Sequence, residues 1–503
     1  MNEVDVIVLG GGPVGETMLV QLAHRGIRAI GFERDADIWP KPRAVHFDGE
    51  VFRSFQPTGL ADAIAAACVP MRDYRMENEA GEILLDTPTD QIGVHGWIAS
   101  SMFNQPEIDA LLRAEIDRSD TTELRTGHEV VGITQTDDSV TATVRDASGH
   151  EYQVTAAYLV ACDGATSTTR HIVGAQWDTL GPDDQWLVAD GELVAEAPVA
   201  GSMVFFGHHS RPHIWAAMPG GRARMEFKIL PGDDPDELAT TEGVTRLSGG
   251  LLTPENFRLV RTAVYTFRSR VATPWRTGRV FLAGDAAHLT PPLFGQGLCS
   301  GMRDVANLLW KLDLVLGGAP ESLLDTYESE RSAHTQAWIA QATELSRLVQ
   351  TTDPAVAAGR DAHIRAHPED GQPISPSLGD GLHAGVGPAG APAPQPILAD
   401  GRRFDDVLGP DFAVVAGREL LDALPDSVRT AAAQSSRITL HSEDTPGFDE
   451  FLRALRDIDP NTVAAVVRPD RYLLGTAHGV AELEAQIAMA IGACSTLDEP
   501  ARA

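Results

Sequence analysis

The chain has 503 residues, 40 Lys and Arg against 71 Asp and Glu for a formal charge of −31, and four cysteines. This length predicts about two to four domains with cores of their own, and 43% hydrophobic with 22% charged residues excludes a disordered chain or a fibrous repeat. The acidic balance argues against nucleic acid and anionic membranes as partners, and Cys68, Cys162, Cys299 and Cys494 are too dispersed for a disulfide framework or a zinc site.

From the N-terminus, Val4 to Leu9 reads as a strand buried on both faces, followed by Gly10-Gly11-Gly12-Pro13-Val14-Gly15 and a helix from Glu16 to Arg25. Ile27 to Phe32 is the next strand and ends in Glu33-Arg34, which completes one βαβ unit. The N-terminal run has no basic start and meets glycine too early for a signal peptide. No stretch of about 18 uncharged apolar residues predicts a membrane span, so a cytoplasmic protein with reduced thiols is expected.

A helix is predicted over 104–117, and Val140 to Val144 and Tyr152 to Leu159 form a meander leading into Val160 to Cys162. Beyond about 180, Met203 to Gly207, His213 to Met218 and Ala223 to Ile229 suggest an antiparallel sheet. In the last of these, Ala223, Met225, Phe227 and Ile229 alternate with Arg224, Glu226 and Lys228, so one face is buried against a core or a ligand. Val280 to Ala283 is a further strand, and helices follow at about 298–316 and 321–350. Residues 351–398 read as a linker, rich in Gly, Pro, Ala and Ser from about 366, before a small α/β module over 399–503.

The first βαβ unit carries the clearest chemistry. Gly10 makes the tight turn, Gly12 lets the backbone approach a pyrophosphate, Gly15 permits close packing of helix on strand, and the N-terminus of the helix that follows supplies N–H groups and a positive dipole end. Glu33, 23 residues after Gly10, stands where a carboxylate binds ribose hydroxyls. Gly385 to Gly390 matches the same glycine spacing, but no strand precedes it and Ala-Pro-Ala-Pro follows, so it reads as a loop.

Two later motifs choose the dinucleotide. Asp163-Gly164 runs on to Ser167 and Arg170 after a strand, and Gly284-Asp285-Ala286-Ala287-His288 continues through Pro291-Pro292 to Gly295-Gln296-Gly297. With the N-terminal fingerprint, these resemble the single-component FAD-dependent aromatic hydroxylases over about 1–345. Trp186 to Asp190, Leu289 to Pro292, Gly295 to Cys299, Arg303-Asp304, Asn307-Leu308 and Trp310-Lys311 are most similar to the 3-(3-hydroxyphenyl)propionate hydroxylase subgroup.

The resemblance implies an α/β fold of the p-hydroxybenzoate-hydroxylase type. Its Rossmann-like FAD-binding domain would cover 1–180 and return over 276–350 with the long helices. An antiparallel substrate sheet would be inserted at 181–275, and a thioredoxin-like module would fill 399–503. That module lacks C-x-x-C, which argues against redox chemistry there. FAD contacts are implied for Gly10, Gly12, Pro13, Gly15, Glu33, Arg34, Arg43, Gln105, Asp163, Gly164, Asp285, Pro292, Gly295, Gly297 and Leu298. Asp285 would bond the ribityl chain, and the helix after Gly295 would stabilise charge on reduced flavin. No metal is expected.

The implied reaction is hydroxylation of a phenol ortho or para to its hydroxyl, with O₂, a transient NADPH or NADH, and a flavin C4a-hydroperoxide shielded from water. Met203, Phe205, Trp215, Met225, Phe227 and Leu293 are candidates for the pocket wall. His208 and His213, in a cluster with His209 and Arg211, are candidates for handling a phenol proton, and Pro292 closes the pocket by its loop. The oligomeric state is left open, a homodimer being one option. Rival readings are a polyketide or antibiotic hydroxylase and a non-catalytic FAD-binding protein. A flavin halogenase is disfavoured because His213 to Pro219 lacks the first tryptophan of W-x-W-x-I-P.

Overall fold

The computed structural model describes residues 3–41, 43–368 and 375–495. Its centre is a sheet whose parallel strands Val280–Leu282, Glu151–Ala161, Glu3–Leu9, Ala29–Glu33 and Thr122–Thr126 lie side by side in that order. Val6, Ile7 and Val8 are fully buried, as a strand covered on both faces requires. Pro13–His24 and Gln105–Ile116 cover the sheet, with Met18, Leu19, Ile108 and Leu112 turned into its core. Proline at the first helical turn in both helices removes an N–H that would have no partner there.

A second sheet orders its strands as Phe257–Phe267, Asp184–Leu193, Arg222–Lys228, His213–Met218, Met203–Phe206, Asp73–Glu77 and Ile83–Pro88. It differs from the expected insertion in two ways. Its last two strands come from the stretch assigned to the first domain, so the boundary at 180 does not contain this sheet. The pair Met203–Phe206 with Asp73–Glu77 is also parallel within an otherwise antiparallel layer. The outer face is closed by Leu238, Val244, Leu252 and Phe257, and the inner face looks toward the central sheet.

The long helices Gln296–Leu316 and Thr326–Val349 run between the central sheet and the C-terminal module. Part of the expected linker is helical, Pro354–Ala366, because Asp353 caps it by accepting from Ala355 and Val356 N–H. The described part of the C-terminal module has a four-stranded sheet in the order Ile438–His441, Phe412–Ala416, Ala464–Val467, Leu473–Ala477. Its first pair is parallel and the other two pairs are antiparallel. Residues 496–503 of the expected module lie outside the described residues. The Gly385 to Gly390 segment forms turns, not a helix.

One buried carboxylate fastens this module. Glu330 accepts from Arg468 Nη1 and Nη2 (2.9 and 2.7 Å), Lys311 Nζ (2.8 Å), Asn307 Nδ2 (2.8 Å) and Leu382 N–H (2.7 Å). Glu330, Lys311 and Arg468 have no exposed side-chain surface. Burial pushes the Glu330 carboxyl up, and Arg468 and Lys311 outweigh it and hold it below the usual range. Glu330→Ala removes the buried counter-charge of Lys311 and leaves Arg468 with Asp470 alone, and is expected to cost about 3–5 kcal/mol. A chemical-denaturation midpoint no lower than the parent's would refute that role.

Candidate active site

The first glycine turn is built by close approach. Gly10 has φ +98°, and a Cβ there would stand 2.3 Å from the Cys162 carbonyl oxygen. A Cβ on Gly15 would lie 1.9 Å from Gly10 O, so only glycine lets this helix sit on its strand. Gly11, Gly12 and Pro13 face a cavity of ≈ 850 Å³, and nothing stands within 4 Å of where a Gly12 Cβ would be. Glu33 closes the turn by accepting from Gly11 N–H (2.7 Å) and Asp35 N–H (2.8 Å), and Arg34 lines the cavity beside it.

Other motif residues reach the same cavity. Asp163 Oδ2 accepts from Thr169 N–H (3.0 Å) and its hydroxyl (2.8 Å), while Oδ1 is buried without a partner. Arg170 joins this loop to the next motif by donating to Ala165 O (3.0 Å) and Ala286 O (3.2 Å). Gln105 Oε1 accepts from Arg43 and Ala44 N–H (3.0 and 3.1 Å) and so shapes the loop carrying Arg43. Gln105 Nε2 donates to Asp109 (3.3 Å), whose carboxyl burial pushes up to about 6.

Asp285 is exposed only into the cavity, and the protein mass around it pushes its carboxyl up. Gly164, Pro292, Leu293, Gly295, Gly297 and Leu298 complete this side, where the helix Gln296–Leu316 begins. Thr290 Oγ1 is buried there without a partner. Two helix N-termini, an open glycine turn and unpartnered polar atoms on Asp163 and Thr290 fit a dinucleotide such as FAD.

The inner face of the seven-stranded sheet forms the opposite wall. Strand register places Arg261, Asp190, Arg224, Ala216, Met203 and Tyr74 in one cross-strand row. The next row is Ala263, Val188, Glu226, Ile214, Phe205 and Met76. One half of the wall is therefore charged and the other apolar. On the charged half, Arg224 grips Asp190 through Nε (2.7 Å) and Nη2 (3.2 Å) and donates from Nη1 to Arg43 O (3.1 Å). Arg261 lies 3.6 Å from Asp190 and donates to the Tyr265 hydroxyl. On the apolar half, Leu293 packs with Met76, Phe205 and Ile214, and the Tyr74 hydroxyl donates to Leu293 O. Burial holds the Tyr74 hydroxyl well above its ordinary pKa, so it stays a donor.

Met203, Phe205 and Leu293 thus line the cavity as expected of pocket residues. Trp215, Met225 and Phe227 do not: they point to the outer face and pack with Leu187, Leu238 and Val244. His208 and His213 are corrected in the same way. His213 stacks on Phe206 (4.3 Å between ring centres) and sits against Phe227, with Nδ1 2.9 Å from Arg211 O. Burial lowers its pKa to about 4. His208 meets Phe206 and His213 edge-on, His209 pairs with Glu79, and Arg211 pairs with Asp233. None of these side chains lines the cavity. The polar residues that do, Arg224 and Glu226, were visible in the alternation, which marks two faces without saying which one meets a ligand.

His288 is fully buried with Nε2 2.7 Å from Asp304 Oδ2, which also accepts from Gly284 N–H (2.9 Å). Asp304 has no catalytic signature in the sequence, yet it fixes the loop that presents Asp285.

The FAD binding domain family matches residues 3–342 of the chain. A probable NADH-specific resorcinol 4-hydroxylase of Rhodococcus jostii is 35% identical over 496 residues, 95% of this chain and 93% of that protein. A 3-(3-hydroxy-phenyl)propionate/3-hydroxycinnamic acid hydroxylase of Mycolicibacterium smegmatis is 34% identical over 94% of this chain and 90% of its own length. The crystal structure of the flavin-dependent monooxygenase PieE with FAD and substrate superposes with a TM-score of 0.80 at 21% identity, covering 97% of this chain and 99% of that one. The glycine turn, the Asp163 and Asp285 loops and this similarity lead to one conclusion: the chain belongs to the FAD-binding family of flavin-dependent aromatic hydroxylases.

Proposed function

We propose that this enzyme uses NADH and O₂ to hydroxylate a small phenol, with resorcinol as the first compound to test. One observation carries the reading: the FAD cradle and the half-apolar, half-charged sheet wall open into a single cavity, so a ring on the wall faces the flavin end. The relative named for resorcinol supports both the substrate and the nicotinamide.

FAD, when bound, supplies the activated oxygen. The chain's own residues do the rest. Gly10 to Pro13, Asp163 and Asp285 hold the cofactor, with Glu33, Arg34, Arg43 and Gln105 around it. The Pro292-Leu293 loop and the wall from Phe205 to Ile214 hold the ring and exclude water, which would otherwise divert the oxygen to H₂O₂. His208 and His213 take no part, being on the far side of the sheet. We read the C-terminal module as thioredoxin-like and structural, and the protein as working without nucleic acid or membrane.

Mixing the FAD-loaded enzyme anaerobically with NADH is expected to bleach the flavin faster when resorcinol is present, and aerobic turnover should yield a trihydroxybenzene. If no phenol accelerates bleaching, the reading is wrong.

Tyr74→Phe removes one hydrogen bond on the Pro-Pro loop, a loss of about 1 kcal/mol. FAD content should be kept, while H₂O₂ released per NADH consumed rises. Unchanged coupling would show that this hydroxyl does not hold the loop.

A further inference from the structure

We propose that Glu226 is the acceptor for a substrate hydroxyl, and that it selects uncharged dihydroxybenzenes over phenols bearing a carboxylate. The proposal rests on the hydroxylase reading above and deepens it.

Glu226 stands in the middle of the cavity wall, at the junction of its charged and apolar halves. Its row continues through Ile214 to Phe205, which packs with Leu293 of the Pro-Pro loop. Two inter-strand spacings, across the single intervening strand His213–Met218, separate Glu226 from Phe205 by about 10 Å. An aromatic ring lying along this row therefore places one edge at the loop and a substituent at the carboxylate.

The charges around Glu226 decide what that substituent is. Arg224, on the same strand, approaches Glu226 Oε1 only to 3.8 Å and uses Nε, Nη1 and Nη2 on Asp190 and Arg43 O. Arg261 is occupied by Asp190 and the Tyr265 hydroxyl. Arg43 lies over Trp39, and its positive charge is felt by Asp109 and Asp285 on the cofactor side. Among the described residues no donor within hydrogen-bond reach satisfies the Glu226 carboxylate, although the residue is only 8% exposed and that exposure opens into the cavity. A carboxylate that opens into the cavity without a donor from the protein can accept one from the ligand. Burial and Asp190 push the Glu226 carboxyl up against the pull of Arg224, so a shared phenol proton is better matched there than at a surface carboxylate.

The two arginines are balanced by Asp190 and Glu226, which leaves no excess positive charge on this part of the wall for an anionic substituent. A phenol hydroxyl donates to Glu226, whereas a substrate carboxylate is repelled by it. No bond to carbon is made or broken by Glu226: the proton is shared with the phenol oxygen while the ring is attacked and remains available to the product.

The test compares parent enzyme, Glu226→Gln and Glu226→Asp, each loaded with FAD and checked for flavin content. NADH oxidation and product formation are followed with resorcinol and with 3-(3-hydroxyphenyl)propionate across pH. Glu226→Gln is expected to raise the resorcinol KM about tenfold, to remove an acid limb from the pH profile of kcat/KM, and to shift preference toward the carboxylate-bearing phenol. Glu226→Asp should restore part of the KM and the limb. A Gln variant with the parent's KM, pH profile and substrate ratio overturns the proposal. Absence of phenol-stimulated turnover in the parent instead overturns the hydroxylase reading, and the proposal with it.

Discussion

The geometry of the site depends on the ionised carboxylate of Asp304. It has no exposed surface and accepts from the Gly284 backbone, from His288 Nε2 and from Arg331 Nε (2.9 Å). Burial alone would favour protonation, but His288 and Arg331 outweigh it and keep the group charged. An ionised Asp304 can only accept, so the Nε2 of His288 carries the proton. Asparagine could not reproduce this arrangement, since it has one acceptor oxygen for three donors. The bonds lock the Asp285 loop to two long helices. A Cβ on Gly301 would stand 2.7 Å from Val14 Cγ2 and 3.2 Å from Gly284 Cα. The helix beginning at Gln296 therefore touches both the Asp285 loop and the first turn of the helix beginning at Pro13, and the two helix N-termini that flank the cavity are held at a fixed spacing.

The neighbouring residue extends the same logic outward. Arg303 donates to Glu50 (2.5 Å), Asp48 and Gln296 Oε1 (2.8 Å), and the Tyr472 hydroxyl of the C-terminal module donates to Glu50 (2.7 Å). Arg53 grips Asp405 through two bonds of 2.7 and 2.8 Å. Buried ion pairs recover their desolvation cost only when geometry and partners are complete, so they reward one docking arrangement above near alternatives. The module meets the flavin domain through such pairs as well as through the apolar contact of Trp310 with Phe412. It thereby braces the helix Gln296–Leu316, which begins beside the cavity. No thiol chemistry is needed for this.

Much of the cofactor side was legible because close backbone approach restricts residue choice. Gly10, Gly15, Asp163, Asp285 and Gly295 occupy positions where sterics or helix termini leave few alternatives, and a linear sequence records that. The substrate side was only half legible. Alternation in Arg222–Lys228 announced two unlike faces, but both are buried, and the outer one is closed by Leu238 and Val244 from helices with no distinctive signature. The apolar set was assigned to the ligand by the common expectation that pockets are apolar. The strands Asp73–Glu77 and Ile83–Pro88, the last two of the sheet, were missed because Asp73, Arg75 and Glu77 interrupt the apolar run that marks a strand in sequence. The helix Pro354–Ala366, capped by Asp353, fell inside the stretch read as a linker.

Placing the polar face of a sheet toward the ligand has a physical consequence that loop-borne histidines could not supply. In the row Arg261, Asp190, Arg224, backbone pairing fixes the spacing of the three charges, so none of them must be ordered when a substrate arrives. Mutual neutralisation lets these groups remain buried, where an uncompensated guanidinium would be costly. The same burial would strengthen the hydrogen bond proposed at Glu226. At the other end of the wall, Met203 and Phe205 offer only apolar contact, and Tyr74 turns its hydroxyl to the Pro-Pro loop. On the reading proposed above, a ring bound between these ends would be oriented by one polar substituent and held by apolar contact around it, with the sheet register fixing the spacing of the two.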